Sequence, residues 1–325
     1  MATIRDVAKL ANTSISSVSK VLRNSEIRIS DKKRQEILDA AAKLNYIPNN
    51  SASTLKLGRS DTVAVIAPDL ADPFYPKLAK SLMLELEKIG QKCMVFDYDR
   101  CSERAIDIMQ SLRDGSVNSI LLIPAGELLI KYYIDKIRKL SEEMGVKVIM
   151  VNPGKKIDGI PTSTFDAYSG GRKIAEYVLS QGHRKLGIVS NQSNPFYRGF
   201  RSVVDSTADT EIFIEDSARR YDGGFEAGSR LLSTGVTCIC CSTDQLAIGV
   251  MSYAMQNGIA IPENIAVTGV NDMIPGRIFP VPLTTIRYST PKLAEETIGM
   301  LKKLLDGGEA EDVILEPELL RRVSA

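Results

Sequence analysis

The residues whose types and spacing can do chemistry lie near the start of the chain. From Ser14 to Lys20 the sequence reads Ser-Ile-Ser-Ser-Val-Ser-Lys. Hydroxyls both donate and accept hydrogen bonds, and an ammonium donates only; these are the groups that read base edges and grip phosphates. Val18, Val21 and Leu22 recur on one helical face and leave Ile15, Ser16, Ser17 and Lys20 on others. Upstream, Thr3 followed by Asp6 is a capping-box pattern, and Ile4, Val7, Ala8 and Ala11 recur at helical spacing. Asn12, Thr13 and Ser14 break that pattern and offer a cap for the next helix. The spacing predicts a third helix over Ser30–Leu44, with Ile37, Leu38, Ala41 and Leu44 inward. Two helices packed across a short turn, the second with a small polar outer surface, form a helix-turn-helix that can enter the DNA major groove.

A small helical cap that binds nothing would satisfy the apolar pattern equally well, and charge separates the two readings. Residues 1–60 hold eleven Lys or Arg and five Asp or Glu, a net of +6, and the remainder carries −5. The overall +1 therefore hides a basic headpiece on a mildly acidic body, an asymmetry suited to phosphate binding.

A chain of 325 residues has room for two or three domains, and 44% hydrophobic content supports substantial cores. It has no run of about eighteen apolar residues, so no membrane span is expected. The N-terminus lacks a signal-peptide apolar region, which makes a cytoplasmic protein the expectation. Five cysteines fit reduced thiols. Cys238, Cys240 and Cys241 fall in an apolar run that reads as a buried strand, with spacing unsuited to a metal. Cys93 and Cys101 show no redox pattern. His183, the only histidine, precedes a strand without a nucleophile or base partner and reads as structural.

Tyr46 to Arg59 reads as a connector. Pro48 ends the preceding helix, and Asn49–Leu57 has room for about two helical turns, marginal without DNA or a twin to fold against. From Thr62 onward, strand-like runs alternate with amphipathic helices. Strands are expected at Thr62–Ala67, Lys92–Phe96, Ser119–Ile123, Lys147–Val151, Lys185–Ser190, Cys238–Ser242 and Ile265–Val270. Helices are expected at Tyr75–Lys88, Arg104–Arg113, Lys131–Met144, Gly170–Ser180, Tyr197–Asp205, Gly224–Ser233 and Gln245–Asn257. This alternation implies two doubly wound parallel sheets covered by helices, with a ligand crevice at the carboxyl ends of the strands. No glycine-rich phosphate fingerprint follows a strand, so no nucleotide cofactor is expected.

At this point the chain resembles the lactose-repressor/galactose-repressor (LacI) family of bacterial transcription regulators over essentially its whole length. The resemblance is carried by Thr3–Asn24, Asp72-Pro73-Phe74-Tyr75, Gly182-His183-Arg184-Lys185, Thr243-Asp244-Gln245-Leu246-Ala247-Ile248-Gly249 and Pro282-Leu283-Thr284-Thr285-Ile286. It implies an all-α helix-turn-helix headpiece at 1–48, a hinge helix at 49–60, and an α/β core similar to periplasmic sugar-binding proteins. One core lobe would hold 61–161 and 291–321, the other 162–290. By position, Ile15, Ser16 and Lys20 match the base-reading residues: Lys20 toward guanine O6 and N7, Ile15 toward a thymine methyl, Ser16 either way. Ser14 and Ser19 would hold phosphates. Leu55 matches the leucine that wedges into the minor groove, with Lys56 beside it. The chain departs from the family's Ala-Arg-x-Leu hinge pattern with Ala52-Ser53-Thr54-Leu55, which removes a positive anchor.

The implied effector pocket departs further. Phe196 stands where the family has Arg, three residues before Gly199-Phe200, and Arg198 lies nearby on another helical face. Asn271 replaces the pocket Asp, the Asn-Asp pair reads Thr243-Asp244, and the aromatic platform aligns with Gly223 between Tyr221 and Phe225. Asp69, Phe74, Asp244 and Asn271 still supply polar and aromatic groups. Two readings stay open: a small-molecule effector, sugar-like but less anionic or more apolar, or a vestigial pocket with a protein co-regulator. The resemblance implies a homodimeric repressor on a pseudo-palindromic double-stranded DNA operator, with no cofactor. Leu78, Leu82 and Leu86 belong either to a dimer seam or to core packing. The chain has no appended leucine heptads for a tetramer. A solute receptor is opposed by the basic headpiece, and an enzyme by the lack of a nucleophile elbow, metal cluster or nucleotide loop.

Overall fold

Thr3 starts the first helix: the Asp6 carboxylate accepts from the Thr3 backbone N–H and hydroxyl, each at 2.8 Å. Helix α1 runs Ile4–Leu10, α2 Ile15–Leu22 and α3 Asp31–Lys43. Asn12 turns the chain between α1 and α2 with a left-handed φ of 44°, a conformation Asn adopts more readily than most residues. Val7, Ala8, Ala11, Val18, Val21, Ile37, Ala40 and Ala41 form the core of this unit. One expected core position moves: Leu38 is 40% exposed and Ala40 is buried in its place. Ile37, Ala40 and Ala41 make one narrow stripe, and Leu38 falls a third of a turn off it. The Lys33 ammonium donates to the Ala11 carbonyl at 2.7 Å, tying α3 to the end of α1.

The structure, a computed structural model, describes residues 2–22, 27–46, 60–125, 127–217 and 220–325. The expected hinge helix, with Leu55 and Lys56, lies outside the described residues. The chain divides into two compact units, Met1–Ser60 and Asp61–Ala325.

The second unit holds two six-stranded sheets. The first contains β1 (Thr62–Ala67), β2 (Lys92–Asp97), β3 (Ser119–Leu122), β4 (Lys147–Val151), β5 (Thr162–Phe165) and β11 (Val313–Leu315), in the order β11-β5-β4-β3-β1-β2. All its pairings are parallel. The second contains β6 (Lys185–Val189), β7 (Glu211–Glu215), β8 (Cys238–Cys241), β9 (Ala266–Val270), β10 (Thr284–Arg287) and β12 (Glu318–Leu320), in the order β12-β10-β9-β8-β6-β7. Only β12 runs antiparallel to its neighbour, β10. The seven strands expected from sequence are present with small boundary shifts.

Helices between the strands are α4 (Phe74–Lys88), α5 (Ser102–Ser111), α6 (Glu127–Met144), α7 (Ala167–Ser180), α8 (Pro195–Val204), α9 (Tyr221–Leu232), α10 (Asp244–Gln256), the short α11 (Ile274–Ile278) and α12 (Thr290–Leu305). Leu78, Leu82 and Leu86 of α4 are fully buried within the core, so their row is core packing rather than an exposed seam.

The lobe boundary differs from the expected one. Thr162–Phe165 pairs with β4 inside the first sheet, and Glu318–Leu320 joins the second. The chain therefore leaves the first sheet after β5, returns after β10, and crosses again between β11 and β12. Thr162, Ser163 and Thr164 look polar in sequence, yet all are buried. Their hydroxyls find partners, Ser163 with Thr297 at 2.6 Å and Thr162 with the Ile160 carbonyl at 3.0 Å, which removes the cost of burial.

Candidate functional site

In the first unit, Ser14 caps α2: its hydroxyl accepts from the Ser17 N–H at 3.0 Å and lies 2.9 Å from the Ser17 hydroxyl. With Val18 and Val21 turned into the core, the outer face of α2 shows Ile15, Ser16 and Lys20 to solvent, and Ser19 is half-buried at its edge. Ile15 is 41% exposed, an unusual setting for a β-branched apolar side chain beside hydroxyls. One apolar group, one hydroxyl and one cation thus share a surface one helix wide.

The second site lies between the two sheets, at the carboxyl ends of their strands. Two pairs of close helix crossings build its rim. A Cβ on Gly171 of α7 would come 1.9 Å from the Phe196 carbonyl of α8, and one on Gly199 would come 1.9 Å from the Tyr168 carbonyl. Gly224 of α9 and Gly249 of α10 approach the Leu246 and Tyr221 carbonyls in the same way, at 2.1 and 2.0 Å. Only glycine permits such contact. The crossings set the starts of α7, α8 and α10 beside an inner cavity of about 130 Å³. Its wall includes Asp72, Phe74, Tyr75, Asn152, Asn194, Phe196, Ser242, Thr243, Asn271 and Tyr288.

An adjoining outer chamber of about 520 Å³ shares Asp72 and adds Asp69, Arg100, Arg220, Tyr221, Asp222 and Gln245. Arg100 bonds Asp69 at 3.1 Å and Asp72 at 3.2 Å, with its guanidinium 5.6 Å from the Tyr75 ring centre. Burial raises the Asp69 carboxyl, but the Arg100 hydrogen bond and charge outweigh it and hold it below the usual carboxylate range. Asp99 and Arg100 both adopt left-handed φ angles, 49° and 54°. The Asp97 carboxylate, accepting from the Asp99 N–H at 2.7 Å, and the Arg100 N–H, donating to the Pro68 carbonyl at 2.7 Å, hold that turn.

Of the residues expected in the pocket, Phe74, Phe196, Thr243 and Asn271 share the inner wall, and Asp69 lines the outer chamber. Three stand apart from both. Arg198 is exposed on the other side of α8, and Gly223 is buried within α9. Asp244 is fully buried behind the wall, accepting from the Met273 N–H and the Thr285 hydroxyl, each at 2.6 Å. Asp72, Arg100, Asn152, Asn194 and Tyr288 were not singled out as site residues. Asn152 and Asn271 each follow a strand with a left-handed φ, 57° and 107°, and Asn at such a strand end was a signal for the first. Arg100 had none, because thirty-one residues separate it from Asp69. His183 meets the Thr237 hydroxyl at 2.9 Å, and burial lowers its basicity.

The description "Bacterial regulatory proteins, lacI family" matches residues 3–49, and "Periplasmic binding protein-like domain" matches residues 175–325. The chain is thus similar to lacI-family regulators in its headpiece and to periplasmic-binding-protein-like domains in its core. LacI-family relatives span its whole length. It is 27% identical to the HTH-type transcriptional regulator DegA of Bacillus subtilis, over 99% of this chain and 97% of that one. It is 25% identical to the HTH-type transcriptional repressor PurR of Haemophilus influenzae, over 100% and 98%. The fold superposes on the lac repressor dimer bound to operator and the anti-inducer ONPF with a TM-score of 0.85, at 21% identity over 99% and 98% of the chains. It superposes on a CelR–cellobiose complex with a TM-score of 0.71, at 22% identity and full coverage of both. These likenesses establish the expected fold class, a helix-turn-helix headpiece with a periplasmic-binding-protein-like core. The chain is a DNA-binding transcription regulator. Among the described residues, no helix is long and apolar enough to cross a membrane.

Proposed function

We propose that this chain is a repressor that binds a pseudo-palindromic operator as a homodimer and responds to a small molecule held between its lobes, with no catalytic step. The observation that carries the reading is the outward face of α2, where Ile15, Ser16 and Lys20 stand exposed on a unit of net charge +6. That face matches base-edge chemistry, and Ser14 and Ser19 flank it as phosphate contacts. Two-fold symmetry in the protein implies two half-sites in the DNA. Leu55 and Lys56 act at the operator centre in this reading, with Leu55 as the wedge. Support also comes from the PurR relative, named as a repressor, and from the lac repressor dimer bound to operator.

The open cavity at the strand ends favours a ligand over a filled, vestigial pocket, and a neighbour in fold holds cellobiose. Such a ligand controls DNA binding only if it binds the DNA-competent and DNA-released states with different affinity. Selection from random duplexes tests the DNA reading. The expected product is a palindromic site bound with two-protomer stoichiometry, and a failure to enrich any sequence would overturn it. On that site, Leu55→Ala is expected to reduce the bend angle in a circular-permutation assay, and an unchanged bend would remove the wedge from the scheme.

A further inference from the structure

We propose that Asp272 and Arg287 couple the cavity wall at Asn271 to two of the three crossings between the sheets, so that a change at the wall is felt where the lobes are joined. The inference rests on the reading of the interlobe cleft as an effector site and names positioning residues for its regulation. Asn271 lines the inner cavity. Asn271 and Asp272 are consecutive residues with left-handed φ angles, 107° and 50°, and neither is glycine. A turn of this kind persists only where its surroundings over-determine it. Here it is held from both sides. The Asn271 N–H donates to the Ile286 carbonyl at 2.8 Å, and the buried Asp244 carboxylate accepts from the Met273 N–H at 2.6 Å.

Between these two anchors the Asp272 side chain is wholly buried and gathers arginines from three separate segments. Arg277 of α11 donates to it at 3.0 Å, Arg287 at the end of β10 donates at 3.2 Å, and Arg322, beyond β12, completes the set. Burial raises the Asp272 carboxyl, but the hydrogen bonds and charges of Arg277 and Arg322 outweigh it and hold it below the usual carboxylate range. Arg287 reaches furthest. It is the last residue of β10, immediately before the crossing at 288–289. Its Nη1 also meets the Glu318 carboxylate at 3.2 Å, and Glu318 is the first residue of β12, immediately after the crossing at 316–317. A planar guanidinium bonds its two carboxylates in fixed directions, so a displacement of Asp272 is passed on to Glu318 rather than absorbed by a flexible stem. Tyr288 lines the cavity and stacks on Phe165 at 4.8 Å, so the crossing at 288–289 is also reached directly. The crossing at 316–317 is reached through Arg287 and Glu318. Among the described residues, the side-chain hydrogen bonds of Arg277 all end on Asp272.

A double-substitution cycle on the full chain tests this without a ligand. Asn271→Gly releases the turn, and amide hydrogen exchange followed by mass spectrometry reads residues 316–320. In the wild-type background Asn271→Gly is expected to speed exchange there at least fivefold. In an Arg287→Gln background the same step is expected to change it less than twofold, and likewise in Glu318→Gln. Arg277→Gln removes a similarly exposed partner of Asp272 that leads to no crossing, and is expected to leave the fivefold effect intact. That control separates coupling from mere support of the buried carboxylate. An effect of equal size in every background, its loss in Arg277→Gln, or no effect in the wild-type background would each overturn the proposal. The cycle uses no ligand, so its failure is distinct from failure of the effector reading. Operator affinity of the wild type with and without cellobiose, ribose or guanosine reports on that reading separately.

Discussion

Two side chains show how differently one sequence position can be read. Lys20 is exposed on a short helix, and the base-reading role proposed for it rests on the family resemblance and on its charge. Lys20→Ala is expected to cost about 1–3 kcal/mol on the selected operator and to relax preference at one base pair. A uniform loss on all sequences, in competition binding, would reassign it to phosphate. Asp244 is the opposite case. It was expected in the pocket, and it lies buried behind the wall instead. Burial pushes its carboxyl up to about 7, against the hydrogen bonds from Thr285 and Met273. A carboxyl harder to ionise in the folded state favours folding at acid pH, and that contribution disappears as pH rises from its usual 3.8 through about 7. Asp69 and Asp272, held below the usual range once their arginines outweigh burial, act with the opposite sign and only at lower pH. Urea unfolding is therefore expected to show the core losing up to about 4 kcal/mol across that window. Asp244→Asn should flatten the slope, and a slope that survives the substitution assigns it to other groups.

At the scale of elements, caps and crossings decide the geometry. Ser14→Ala removes the acceptor for the Ser17 N–H and is expected to cost about 1 kcal/mol of headpiece stability, followed by circular dichroism melting. Gly199→Ala is a harsher change, because its Cβ would meet the Tyr168 backbone rather than a flexible side chain. A loss of about 3 kcal/mol in the core is expected, with weakened binding of whichever ligand the wild type takes; a stability change below about 1 kcal/mol would show that α7 and α8 can separate freely. Long amphipathic helices and apolar parallel strands were legible because their periods are strong. β5, β7, β10, β11 and β12 were not expected. Thr-Ser-Thr-Phe looks like a loop until its hydroxyls are seen to be paired, and β11 and β12 are three-residue strands defined by their neighbours. Leu78, Leu82 and Leu86 show the same limit, since four-residue spacing names a face but not what covers it.

For the whole molecule, the separation of charge predicts behaviour that no single residue does. A headpiece of net charge +6 binding DNA through phosphates releases counterions, so log affinity is expected to fall linearly with log salt concentration. Gel-shift or anisotropy titrations across a salt series would show it, and a flat series would reject the electrostatic contribution. The amino-acid sequence by itself determined the headpiece, the alternation of strands and helices, and the basic–acidic asymmetry. Each is a local or additive property, set by side-chain period or by counting charge. Tertiary structure alone decided where the chain crosses between sheets, because strand pairing depends on partners as distant as Val313 from Ser163. It alone placed Arg100 between Asp69 and Asp72, and withdrew Asp244 and Arg198 from the cavity wall. The sign of charge in a cleft is a sum over side chains brought together from many loops, and no spacing along the chain encodes that sum.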